Sequence, residues 1–343
     1  MMWRSAMLVT AAVVLPAHAG GQGGSSGRAP TVHHHSLAFD SDGIGVSFGG
    51  SDDGPLAPAT TWRVSGAEWR STGTTGPCAR ASYGLVYHDA GKHTVLFGGW
   101  TPSGLLDDTW LWDGQVWREM SGGVHPSPRM SPAIAYDPLR QRVVLFGGSG
   151  DAAGETWEWN GTSWHQAHPA QAPSPRGRAT MAFDDKRRAV LLFGGFDRGN
   201  VLGDTWLWDG TNWLLQAVNG PPGRANHVMA AHPQRGIVLF GGWQSRPDSI
   251  LGDTWLWDGR AWRQHDLAGP PAREMPAFAW DPQRRELVLH GGRNPAGTAL
   301  GDVWFWNGQW RKAQADVPHL SLEGGLAAAS PGSSGSETPL IVF

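Results

Sequence analysis

Residues 190–213 read VLLFGGFDRGNVLGDTWLWDGTNW. The stretch opens with an apolar run, Val190 to Phe193, of the kind that forms a buried strand, and Gly194-Gly195 ends it. Trp206 and Trp208 stand two residues apart, so in an extended chain both indoles point to one face. Asp209-Gly210 then marks a tight hairpin before Trp213, because both central residues of a type I′ turn need positive φ.

The same pattern recurs six times. Gly-Gly pairs begin at Gly49, Gly98, Gly147, Gly194, Gly241 and Gly291, a period of 47 to 50 residues that signals the blades of a propeller. The tryptophan triplets are Trp110, Trp112, Trp117; Trp157, Trp159, Trp164; Trp206, Trp208, Trp213; Trp255, Trp257, Trp262; and Trp304, Trp306, Trp310. The first copy carries Trp62, Val64 and Trp69. Each repeat reads as four strands, with turns such as Asp137-Pro138 after the first and Asp113-Gly114 after the third. In a two-residue turn Trp112 pairs with Gln115 and Trp110 lies opposite Trp117. The sixth copy is one residue shorter before its final tryptophan, so Trp310 faces the other way unless a bulge corrects it. Indoles repeated in every copy meet a need common to every blade, which is filling the wedge between neighbouring sheets.

The apolar strand ending in Gly-Gly (VLFGG at 95–99, VLLFGG at 190–195), the DTWLWDG segment and the final Trp together resemble the kelch repeat in a Trp-rich bacterial form. The resemblance covers about residues 33–313. It implies an all-β, kelch-type β-propeller of four-stranded antiparallel blades around a central channel. About activity it implies little, since propellers serve as enzymes, peptide readers and assembly modules. Galactose oxidase shares such a ring, but its copper site needs tyrosines, and Tyr83, Tyr87 and Tyr136 are the three in this chain.

Composition narrows the function. Among 343 residues, 17% are charged and the formal net charge is −3, which excludes a nucleic-acid binder built on a basic surface. Arg4, the apolar run Ala6 to Leu15, Pro16 and Ala17-His18-Ala19 follow the order of a secretory signal peptide cleaved after Ala19. The expected organisation is therefore a signal peptide at 1–19, a Gly/Ser-rich mature N-terminus at 20–32, and the propeller at 33–343. No later run reaches the roughly 18 apolar residues of a spanning helix, so a secreted or periplasmic, soluble, monomeric protein is expected. Residues 318–343 hold a partial repeat, with Leu340-Ile341-Val342-Phe343 where VLF precedes Gly-Gly. That leaves six blades, or seven with a two-stranded last one, and the partial repeat favours seven. Cys78 is the single cysteine, so no internal disulfide forms and the thiol reads as a small buried hydrophobe.

In such a meander the turns within strand pairs 1–2 and 3–4 share one face and are short. The 2–3 loops and interblade loops share the other face and vary, and variable loops on a rigid scaffold are where binding sits. Two charges recur there. Arg80, Arg129, Arg176, Arg224 and Arg273 precede the first strands, and Asp108, Glu155, Asp204, Asp253 and Asp302 precede the first tryptophans by two. A ring of five arginines suits an anion. However, the first copy loses both members together, with Val32 and Thr60 in their places, which favours a structural ion pair within each blade.

Residues that break the repeat are the binding candidates. Directly after Gly-Gly stand Ser51, Trp100, Ser149, Phe196, Trp243 and Arg293. Trp100, Phe196, Trp243 and Arg293, with His227, form the candidate set, able to stack on sugars or grip a peptide unless each covers its own loop. His290 also breaks the pattern, replacing the Phe of LFGG. His33, His34 and His35 offer two side chains on one face and no third ligand, so no metal or other cofactor is expected. A Gly-x-Ser-x-Gly match around Ser25 lies in a Gly/Ser tail without a strand before it, and no distinctive acid/base pair stands out. The function expected is recognition of a protein or glycan on the variable-loop face, with a carbohydrate-active enzyme at the channel mouth as the alternative.

Overall fold

The computed structural model describes residues 26–27, 29–52, 56–73, 75–149, 153–245, 248–266 and 268–314. The leader at 1–19 and the partial repeat at 318–343 lie outside the described residues. Met1–Ala313 forms one compact unit, and its described part is six antiparallel sheets.

Blade I comprises Ser36–Phe39, Gly45–Phe48, Thr61–Ser65 and Glu68–Ser71, with the short strand Ser26–Gly27 added outside Glu68–Ser71. Blade II is Gly84–His88, His93–Thr101, Gly104–Trp112 and Trp117–Met120. Ala133–Asp137, Arg142–Phe146, Thr156–Trp159 and Trp164–Ala167 make blade III. Blade IV is Thr180–Asp184, Ala189–Asp197, Asn200–Trp208 and Trp213–Gln216. Blade V follows with Val228–His232, Gly236–Ser245, Asp248–Trp257 and Trp262–Gln264. Blade VI is Ala277–Asp281, Glu286–His290, Val303–Trp306 and Trp310–Lys312. Among the described residues a three-residue turn at Asp89–Gly91 is the one helical piece, and no helix is long and apolar enough to cross a membrane.

The first strands line the axis. Each touches the first strand of the next blade, and that of blade VI touches that of blade I, so the ring closes at six. The seventh blade favoured by the sequence has no place in this ring, because blades VI and I share their own apolar cluster, in which Val64 and Trp69 meet Val288 and Phe305.

The Gly-Gly doublet is what lets the blades approach. Both glycines have positive φ in all six copies. A β-carbon on the first would lie under 3 Å from a carbonyl of the next blade, that of Arg80, Arg129, Arg176, Arg224, Arg273 or, at closure, Val32. The N–H of the second glycine donates to that same carbonyl at 2.9–3.0 Å.

The tryptophans fill the wedges as expected. Trp69, Trp208, Trp213, Trp257 and Trp306 are fully buried. The final indole of blades II to VI reaches back to a threonine of the preceding blade, as in Trp117 Nε1 to Thr61 Oγ1 at 2.8 Å and Trp310 Nε1 to Thr254 Oγ1 at 2.9 Å.

The hairpin register differs from the type I′ expectation. Trp112 lies opposite Trp117, and Trp110 opposite Glu119. Asp113 Oδ1 accepts from the N–H groups of Gln115 and Val116, both at 2.9 Å. The aspartate therefore stands before the turn, and Gly114 is its one positive-φ residue, as a type II′ turn requires. In blade VI the shorter loop simply pairs Trp306 with Trp310, so Trp310 keeps the same face without a bulge.

Candidate functional site

The five arginines are buried and each joins two blades. Its carbonyl serves the preceding blade, while its guanidinium donates to the first Gly-Gly carbonyl of its own blade at 3.0 Å. The acids complete the set: Arg80–Asp108 at 2.5 Å, Arg129–Glu155 at 2.8 Å, Arg176–Asp204 at 2.5 Å, Arg224–Asp253 at 2.6 Å and Arg273–Asp302 at 2.6 Å. Each acid also accepts the first indole N–H of its blade at 2.6–2.8 Å. Burial alone would raise the carboxyls of Asp204, Asp253 and Asp302. The arginine hydrogen bond and charge overcome it and hold them below the usual carboxylate range. With their donors committed inward, these arginines do not present a ring to solvent.

Cys78 departs from the buried-hydrophobe expectation. It is exposed, and its sulfur takes a hydrogen bond from Arg80 Nη2 at 3.3 Å, as the hydroxyls of Ser127 and Ser174 do from Arg129 and Arg176. It stands in for a serine beside the guanidinium.

The channel mouth is built two residues after each arginine place. His34, Ser82, Ser131, Arg178, Asn226 and Met275 all have left-handed φ, from 53° to 60°. Each N–H donates to the carbonyl of the corresponding residue one blade back, from Ser82 N to His34 O at 2.9 Å around to His34 N to Met275 O at 3.3 Å. Six bonds thus form a closed backbone ring about the axis, and its side chains decorate the opening.

Just outside this ring lie the residues that follow Gly-Gly. Trp100, Phe196, Trp243 and Arg293 form bridges with Ala81, Gly177, Ala225 and Glu274. In blades II, IV and V the second and third strands continue past the doublet as a long hairpin with a register shift at the glycines. These are the three blades with an aromatic at the base of that hairpin.

The decoration is uneven. Phe196 and Trp243 meet with ring centroids 6.0 Å apart, and the Arg178 guanidinium lies 5.6 Å over Phe196. Asn226 Nδ2 donates to Glu274 Oε2 at 2.8 Å. Burial, with His33, Arg178 and Arg293 close by, pushes His34 down to about 3. At neutral pH His34 is therefore uncharged and a weak base, poorly matched to acid–base catalysis. Trp100, 41% exposed, stands alone in blade II. Blades IV, V, VI and I thus bring aromatic, cationic and amide groups together at one side of the mouth.

His227 does not belong to this surface. It is 2% exposed and packs edge-on against Phe193 at 5.5 Å, beneath the rim, where burial holds it at about 3. His35 occupies the same place in blade I and packs on His290, with Nε2 and Nδ1 2.9 Å apart. Arg178, Asn226, Glu274 and Met275 were not singled out in the sequence. The available signal was their fixed offset of one or two from the arginine places. Among the described residues no group of three or more His, Cys, Asp or Glu is set to hold a metal ion.

A closed ring of six four-stranded blades with doublet glycines at every blade contact defines a β-propeller whose loops converge on one channel mouth. The family model for the KLHDC2/KLHL20/DRC7 Kelch-repeats domain matches residues 139–321, more than half of the chain, and the chain belongs to the kelch-repeat family. Comparison with curated proteins gives no match. Kelch propellers support protein-interaction roles.

Proposed function

We propose that this is an exported recognition protein that binds a segment of a partner protein at the channel mouth, on the blade IV to VI side. One observation supports it most: Phe196 and Trp243 form an aromatic pair beside Arg178, on the face where variable loops converge. Aromatic and arginine side chains grouped in this way are the usual energetic centre of a protein interface. Arg293 and Glu274 extend it with polar groups for orientation.

A peptide and glycan array probed with the chain from Gly20 onward, beside a Phe196→Ala, Trp243→Ala variant, tests this. Peptide binding is expected to fall at least about tenfold in the variant, with its thermal unfolding midpoint retained. Undiminished binding, or binding to glycans alone, overturns the reading. Export is tested separately by N-terminal sequencing of protein recovered outside the cytosol, where Gly20 is the expected first residue.

A further inference from the structure

On the short-turn face, five of the six blade contacts are closed in the same way. The end of the first strand of one blade, or the turn after it, covers the glycine turn of the next. Arg140 donates to the carbonyl of Asp209, and Lys186 Nζ to that of Asp258 at 3.0 Å. Arg235 lies against Gly308, Arg284 against Gly66, and His88 against Gly161. The contact between blades I and II departs from this. Blade I carries Asp40-Ser41-Asp42-Gly43 in its turn, and nothing lies within 4 Å of where a β-carbon on Gly114 would be.

A second departure falls at the same contact. The middle residue of the Trp-x-Trp segment faces the next blade. Leu207, 2% exposed, packs there toward blade V, and Glu158 accepts the Trp208 indole N–H at 2.8 Å. Blade I has Arg63 in that place, exposed and directly opposite Arg70 across the hairpin. Like charges directly opposite destabilise a strand pair. Arg63 has no salt bridge among the described residues, and Arg70 meets only the exposed Glu68 at 3.0 Å, a pair worth little in water. A groove of about 700 Å³ opens here, with Arg63, Glu68, Arg70, Ser71, Gln115 and the edge of Trp112 in its walls.

Going beyond the channel-mouth function, we propose that this groove between blades I and II is a second docking site, for an acidic segment of a partner protein. A carboxylate side chain seats between Arg63 and Arg70, where guanidinium groups can hold it in bidentate fashion. The groove follows the fourth strand of blade I, Glu68–Ser71, with Ser65 and Thr72 at its ends, a length suited to several extended residues rather than one small anion. Trp112 is only 5% exposed, so it offers no open ring face for a sugar to stack on. Because the whole chain carries a formal charge of −3, general electrostatic attraction does not bring an acidic peptide to the protein, and binding must be local.

The probe is fluorescein-labelled hexaglutamate, read by fluorescence anisotropy against the chain from Gly20 onward. Binding is expected, weakened at least about tenfold by Arg63→Leu, which installs the residue that blades II, IV and V carry, and equally by Arg63→Gln. The Phe196→Ala, Trp243→Ala variant is expected to bind hexaglutamate like the native chain, which separates this site from the channel mouth. No binding by the native chain, or binding unchanged in both Arg63 variants, overturns the proposal. Stronger Arg63-dependent binding of a sulfated hexasaccharide or of inorganic phosphate also overturns it, in favour of a glycan or a free anion.

Discussion

At the residue scale, the arginine of each repeat shows how one side chain can carry a blade contact. Arg224 is fully buried, gives its carbonyl to Gly195 of blade IV, and spends its guanidinium on Gly241 and Asp253 of its own blade. Removing one partner of a buried pair leaves the other charge unpaired and typically costs about 3–5 kcal/mol, whereas removing both costs far less. Arg224→Ala is therefore expected to lower unfolding free energy by about that amount. The combination Arg224→Val, Asp253→Thr, which copies blade I, is expected to recover much of the loss. Urea unfolding of the three proteins decides it, and equal stability of the single and double variants would contradict the coupling. The pairing was legible in the sequence because Val32 and Thr60 replace both members at once. The mouth residues Arg178, Asn226 and Glu274 were not, because their neighbours come from different blades and the residue type at their fixed offsets changes from one repeat to the next.

At the scale of elements, the contact between blades VI and I is chemically unlike the other five. Val32 stands for arginine, Val303 for the threonine that accepts the final indole, and His290 for phenylalanine. As a result Trp69 Nε1 is buried without a hydrogen-bond partner among the described residues, and the Trp69 ring lies 4.3 Å from that of His290. The seam is closed by backbone bonds, Val32 N to Leu300 O at 3.2 Å and Gly292 N to Val32 O at 3.0 Å, and by the buried His35–His290 pair. Burial pushes His290 down to about 4 and His35 well below its ordinary value. Both are neutral when folded, and both take up protons near pH 6.5 when unfolded. Their contribution to stability is thus complete above about pH 6.5 and is lost as the pH falls toward 4. The thermal midpoint is expected to drop over that window. In His290→Phe the drop is expected to be smaller, since His227 already packs stably on Phe193 in the same geometry. Midpoints measured from pH 7.5 to 4.5 that fall in parallel for the two proteins would show that the seam is not the acid-sensitive element. The turn chemistry shows a limit of local reading: Asp-Gly signals a hairpin, but Asp113 captures two backbone N–H groups and so shifts the register by a residue on each strand.

At the scale of the molecule, blade number follows from what closes the ring. The six glycine doublets were readable as six blades because each marks a place where a neighbouring backbone must come within a β-carbon's reach. The half-repeat at 318–343 resembles two more strands in composition, yet a further blade needs an open contact between blades VI and I. That contact is filled: the first strands of the two blades touch, Phe305 packs with Val64 and Trp69, and Val32 occupies the doublet of blade VI. Among the described residues six blades therefore close the ring. A chain ending at Gln314 is expected to unfold with the same midpoint and the same denaturant slope as the full chain, because the slope follows the surface exposed on unfolding. A loss of more than about 2 kcal/mol on truncation, or a smaller slope, would mean that the segment packs against the ring and that six blades alone do not account for its stability.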